Sequence, residues 1–141
     1  MRAAYCMALC ELYLGRAANA AGLFIAIADS QPRDPYAQYF AGQSLEQQGD
    51  YAKALARYDA AVQADPMLKS ALLGVQRCAR KSGDEARADR ALADFEKLSE
   101  NPRARSAEFK YTRMGALGMA VVLEGPAKPA APRAGDVFNA P

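Results

Sequence analysis

The sequence predicts an all-α fold, an antiparallel helix-pair solenoid, on three observations. Gly15, Gly49 and Gly83 stand 34 residues apart. Five residues after each comes an alanine (Ala20, Ala54, Ala88), and four further on a large side chain (Phe24, Tyr58, Leu92). Pro32 and Pro66 follow eight residues later, with Pro102 two residues late in the third copy. A fixed period of this length marks stacked supersecondary units that bury their apolar faces on one another.

Unit one, about residues 1–34, opens with a helix that is apolar from Ala3 to Leu14 except at Glu11. The stretch looks superficially like a signal peptide, but Glu11 interrupts it and it keeps the repeat register, so it reads as helix. Unit two, about 35–68, has a first helix over 36–48. Gly49 is suited to the left-handed turn that ends it, Asp50 caps the next helix, and that helix runs over 51–64. Asp65-Pro66 stops it, because proline cannot continue a helix and restricts the residue before it. Arg33-Asp34-Pro35 repeats this stop, and Ser82-Gly83-Asp84 repeats the turn in unit three, about 69–102.

Residues 103–123 read as a capping segment that begins like a fourth first helix, with Ala107, Tyr111 and Met114 at helical spacing until Gly115 and Gly118 break it. The apolar run 119–123 suits either helix or strand. Residues 124–141 hold four of the eight prolines and read as an extended Pro/Ala-rich tail.

Small residues recur where helices must approach: Ala8 matches Gly42, while Cys10, Ser44 and Cys78 share one position and are expected to fill a tight gap. The middle unit resembles a tetratricopeptide repeat, through Gly42, Leu45, Ala54, Tyr58 and Pro66 at that family's spacing. Gln38 and Ala41 depart from its pattern, as do Glu11 in unit one and Gln76 and Glu100 in unit three. The resemblance covers about residues 1–102 in three copies. It implies a superhelix of helix-turn-helix units and a concave groove lined by the first helices.

Composition narrows the chemistry. There is no histidine, which removes the commonest general base and zinc ligand. Cys6, Cys10 and Cys78 form no CxxC and are odd in number, so neither a disulfide framework nor a metal site is expected. The net charge of +2 is far from the excess of a nucleic-acid binder. No run of 18 uncharged apolar residues offers a membrane span. No constellation supports catalysis, and no cofactor is expected.

By register, the groove implied by the resemblance is lined by Tyr5, Leu9 and Leu12 from unit one, Tyr39 and Gln43 from unit two, and Leu73, Arg77, Arg80 and Lys81 from unit three. The basic residues suit an acidic peptide or a terminal carboxylate. The lysine–asparagine carboxylate clamp of some family members is absent, since its places hold Tyr5, Leu9, Tyr39 and Gln43. A helix that is apolar all round is expected to be buried on both sides. The first helix, through Met7 and Leu14, and the tail, through Val137 and Phe138, are therefore expected to make assembly contacts. The functional expectation is a non-catalytic protein-interaction scaffold. The alternatives are a subunit of a homo-oligomer, fibre or larger complex, and the repeat region of a larger exported protein.

Overall fold

The computed structural model describes residues 1–108 and 113–118. Among them are six helices: α1 (Arg2–Tyr13), α2 (Ala17–Ser30), α3 (Pro35–Gln47), α4 (Tyr51–Ala64), α5 (Lys69–Lys81) and α6 (Glu85–Ser99). Each packs on its neighbours in chain order, and the first helices α3 and α5 also touch. Together these six form an all-α solenoid of three helix pairs.

The period is written into the turns. Arg16 N donates to Glu11 O, Asp50 N to Leu45 O and Asp84 N to Ala79 O, three bonds of one kind spaced 34 residues apart. Each closes a helix through a glycine in the left-handed region, with φ of 78°, 82° and 84° at Gly15, Gly49 and Gly83. Asp50 and Asp84 then accept from Lys53 N and Arg87 N, capping α4 and α6, and Asp34 caps α3 in the same way.

Packing couples the units through aromatic rings. Tyr5 meets Phe24 edge-on at 5.4 Å, Phe24 stacks on Phe40 at 5.5 Å, and Tyr39 joins Phe40 to Tyr58. The Tyr58 ring then reaches unit three by lying against both Gly42 and Gly74. The small residue of unit three is thus Gly74, two places before Gln76, where the register put it. Gln38, the polar departure in unit two, is buried but satisfied: it donates to Pro32 O and accepts from Arg57.

Two expectations are corrected. Residues 103–108 do not start a seventh helix. Helix α6 runs on to Ser99, so its exit turn, Ala104 N to Asn101 O, falls two residues late. The next amides find partners elsewhere. Arg105 N donates to Met67 O at 2.8 Å, and Lys69 N donates to Arg105 O at 2.9 Å, making a parallel bridge to Leu68. Ala107 N donates to Ser70 Oγ at 2.9 Å. Amides committed in this way cannot close the i→i−4 ladder of a helix. Second, Cys10 does not fill a gap. Ser44 and Cys78 are buried, but Cys10 is exposed, because α2 and α4 lie on that face of α3 and α5 whereas α1 opens the described stack. The expectations for 119–123, for the tail and for Tyr111, Val137 and Phe138 lie outside the described residues.

Candidate partner-binding groove

The first helices α1, α3 and α5 present equal register positions to one face. Positions 9, 43 and 77 form one row, and 12, 46 and 80 the next. Two clefts lie on this face, between neighbouring first helices. One, of about 470 Å³, is lined by Gln43, Glu46, Gln47, Tyr51, Gln76, Arg77, Arg80 and Lys81. The other, of about 440 Å³, is lined by Leu9, Leu12, Tyr13, Tyr39, Phe40, Gln43, Gln47, Ala107 and Glu108. Gln43 and Gln47 stand on the α3 ridge between them.

The first cleft is built on an ion pair. Arg77 donates to Glu46 through Nε at 2.7 Å and Nη2 at 3.0 Å, a bidentate fork. Tyr58, anchored in the core, donates its hydroxyl to the same carboxylate at 2.6 Å. Burial alone would raise the Glu46 carboxyl, but the bonds from Arg77 and Tyr58 outweigh it and hold it below its ordinary value. The same carboxylate's hydrogen bonds hold the Arg77 guanidinium above its ordinary range, against its own burial. Burial, and then the Glu46 charge, pushes the Tyr58 hydroxyl far up, so it is a donor and not an acid at neutral pH. Arg80 reaches Glu85 at 3.7 Å, and both are exposed. Lys81 has no carboxylate within ion-pair distance among the described residues.

The second cleft is mostly apolar. Leu9, Leu12 and Tyr39 form its floor, each less than a tenth exposed. Ala107, from the segment after α6, closes one side and is itself buried. Tyr5 lies deeper and is wholly buried, its hydroxyl donating to Met114 O. Burial, then the nearby Asp34 carboxylate, drives that hydroxyl well above its ordinary range.

Of the nine groove residues read from sequence, four (Leu9, Leu12, Tyr39, Gln43) line the second cleft. Gln43 lines both, and Arg77, Arg80 and Lys81 complete the first. Tyr5 sits beneath the face, and Leu73 is half-buried and lines neither cleft. Sequence reasoning missed Glu46, whose register lies between Leu12 and Arg80 and so marked it for this face. It also missed Gln47, Tyr51 and Gln76, and the return of Ala107 across the stack. Met7 and Leu14, expected at an assembly contact, are 57% and 62% exposed.

The family model for the tetratricopeptide repeat matches residues 7–67. The comparison with curated proteins gives no match. Among solved structures, the chain is similar to a MamA D159K mutant, with a TM-score of 0.66 and 18% identity over 69% of this chain and 53% of that one. At that identity the likeness speaks for the fold. The chain spans about half the length of that structure.

Proposed function

We propose that the chain, whose residues 7–67 match the tetratricopeptide repeat family model, is a non-catalytic scaffold that binds a peptide of a protein partner on the face of its first helices. The cleft between α3 and α5 carries this reading. Its wall offers amides from Gln43, Gln47 and Gln76 and a phenol from Tyr51. Lys81 and Arg80 supply positive charge at its rim, while Arg77 is already neutralised by Glu46. Such a cleft suits an extended acidic segment, whose carboxylates meet the two rim cations and whose backbone meets the amides.

A fluorescently labelled poly-glutamate peptide tests this at low salt, by polarisation. Binding should weaken as salt rises. It should disappear in the double variant Arg80→Glu, Lys81→Glu, and persist in Met7→Asp. Failure of the wild-type chain to bind at low salt defeats the acidic-peptide reading.

A second reading, assembly through α1, is favoured by one comparison. Ala3, Cys6, Met7 and Cys10 are exposed, whereas their equivalents Ala37, Phe40, Ala41 and Ser44 in α3 are all buried, as are Ala71, Gly74, Val75 and Cys78 in α5. In those helices this is the face on which the preceding second helix packs. A helix presenting it to solvent suits a second helix from another body. Sedimentation at micromolar concentration separates the cases. An assembled wild type that Met7→Asp converts to monomer supports the reading, and a monomeric wild type removes it.

A further inference from the structure

The first-helix face is not empty along its whole length. After α6 the described chain turns back across the stack. Arg105 lies beside Leu68 at the start of α5, bridged through the backbone, and its guanidinium holds the Asp65 carboxylate. Ala107 donates to Ser70 Oγ and is buried in the cleft with Leu9, Leu12 and Tyr39. Glu108 N donates to Arg113 O at 3.0 Å, and their side chains pair at 2.9 Å, which ties the two described pieces together. Met114 O then accepts from Tyr5 in α1.

The two glycines that follow are seated on tyrosine rings. A β-carbon at Gly115 would stand 2.6 Å from Tyr36 Cβ, and one at Gly118 would stand 2.7 Å from Met114 Cβ in the segment itself and 3.1 Å from Tyr5 Cε1. The described pieces therefore meet α5 at Ser70, α3 at Tyr36 and α1 at Tyr5, and Ala107 reaches the cleft of Leu9, Leu12 and Tyr39. It leaves the cleft of Glu46, Arg77, Arg80 and Lys81 open. Its contacts are the ones a bound peptide makes: backbone donor to hydroxyl, hydroxyl to backbone carbonyl, and small residues set against aromatic rings.

We propose that residues 104–108 and 113–118 are an internal ligand of the groove, and that the Tyr5–Tyr36–Tyr39 half of this face accepts an external peptide only by displacing them. The peptide that fits is extended, uncharged where it meets the tyrosines, and carries glycine or alanine at the ring contacts. This does not depend on the acidic-peptide reading, which concerns the other half of the face.

The test uses the full chain and a labelled synthetic peptide with the sequence of residues 104–118. The variant Gly115→Val, Gly118→Val unseats the segment: at 115 the side chain meets Tyr36 on a left-handed backbone that valine cannot adopt without strain, and at 118 it meets Met114 and then Tyr5. Tyr5→Phe with Ser70→Ala is a milder variant that removes two of the hydrogen bonds and keeps every ring. Hydrogen exchange in the first turns of α1, α3 and α5 should rise at least tenfold in the glycine variant and less in the mild one, with α4 unchanged. The peptide should bind both variants at least tenfold more tightly than wild type. Binding to wild type as tight as to the variants, or unchanged exchange in both, overturns the proposal. If the glycine variant unfolds, the mild variant decides it by the same two readouts. Loss of poly-glutamate binding would leave these readouts untouched, so the two readings fail separately.

Discussion

Helices α1 and α5 occupy the same place in the repeat and live in opposite surroundings. In α5, Ala71, Gly74, Val75 and Cys78 are all buried, while Arg77, Arg80 and Lys81 are exposed. In α1 the equivalent Ala3, Cys6, Met7 and Cys10 face solvent, although the helix is far more apolar. Composition and burial therefore run in opposite directions. What buries these positions in a stack is the second helix of the preceding pair, and side-chain hydrophobicity cannot replace it. Helix α1 stays anchored by its other face, through Tyr5, Ala8, Leu9 and Leu12.

The strongest way to break that comparison is one charge placed at equal positions. Val75→Asp buries an unpaired carboxylate and should cost about 3–5 kcal/mol, read as a lower urea midpoint. Met7→Asp, at the matching place in α1, should change stability by less than about 0.5 kcal/mol in the isolated chain. Equal losses at the two sites would mean that the outer face of α1 is covered in solution. The thiols ask the same question without a charge. Cys6 and Cys10 should react with a thiol reagent in the native protein. Cys78 should react only on unfolding, since burial, and then the Glu46 charge, pushes its thiol up to about 12.

The sequence carried the scaffold almost whole, because each turn depends on a few local residues. A glycine with a following aspartate, or an Asp-Pro pair, announces its own geometry, and the helices of unit two came out within one residue of their expected ends. The return of residues 104–108 and 113–118 was not legible in that way. Ala107 and Met114 do keep a helical spacing, and what overrides it is a backbone pairing with Met67 and Lys69, some 36 residues distant in sequence. Local pattern cannot report a partner that far away. The groove was half legible. Register put Arg77 on the face that carries the first cleft, but only the three-dimensional arrangement brings Glu46 under it and commits its charge.

A smaller effect is expected from one methyl group at the junction of units two and three. A β-carbon at position 74 would lie 2.5 Å from Tyr58 Cδ1 and Cε1. That ring is wholly buried and tied to Glu46, so it cannot step aside. Overpacking of this kind costs about 1–3 kcal/mol, and alanine's better helix propensity returns up to about 1. Gly74→Ala should therefore lower stability by about 1–2 kcal/mol, whereas Cys6→Ala, its counterpart in α1, should leave the thermal midpoint where it is. A neutral Gly74→Ala would show that Tyr58 has room to move, and would weaken the case that it locks unit three onto unit two.

The smallest expected effect concerns pH and sharpens the contrast between the two sides of α3. Toward α1 the first-helix contact is between rings, Tyr5 edge-on to Phe40 at 6.2 Å, and the cleft beside it is floored by Leu9 and Leu12. Toward α5 they include the Glu46 carboxylate held by Arg77 and Tyr58. The folded state lowers the pKa of Glu46, so the group stabilises the fold above its unfolded value and loses that contribution as pH falls through the folded one. Stability should consequently decline below the ordinary glutamate range, near pH 4.5. In Glu46→Gln that part of the acid limb should flatten, with a cost of about 1 kcal/mol at pH 7 from the weakened bonds to Arg77 and Tyr58. Urea midpoints for wild type and variant at pH 7 and pH 4 decide it. If the two proteins lose stability in parallel on acidification, the pH sensitivity comes from other carboxylates, and the α3–α5 junction is held by Tyr58 packing alone.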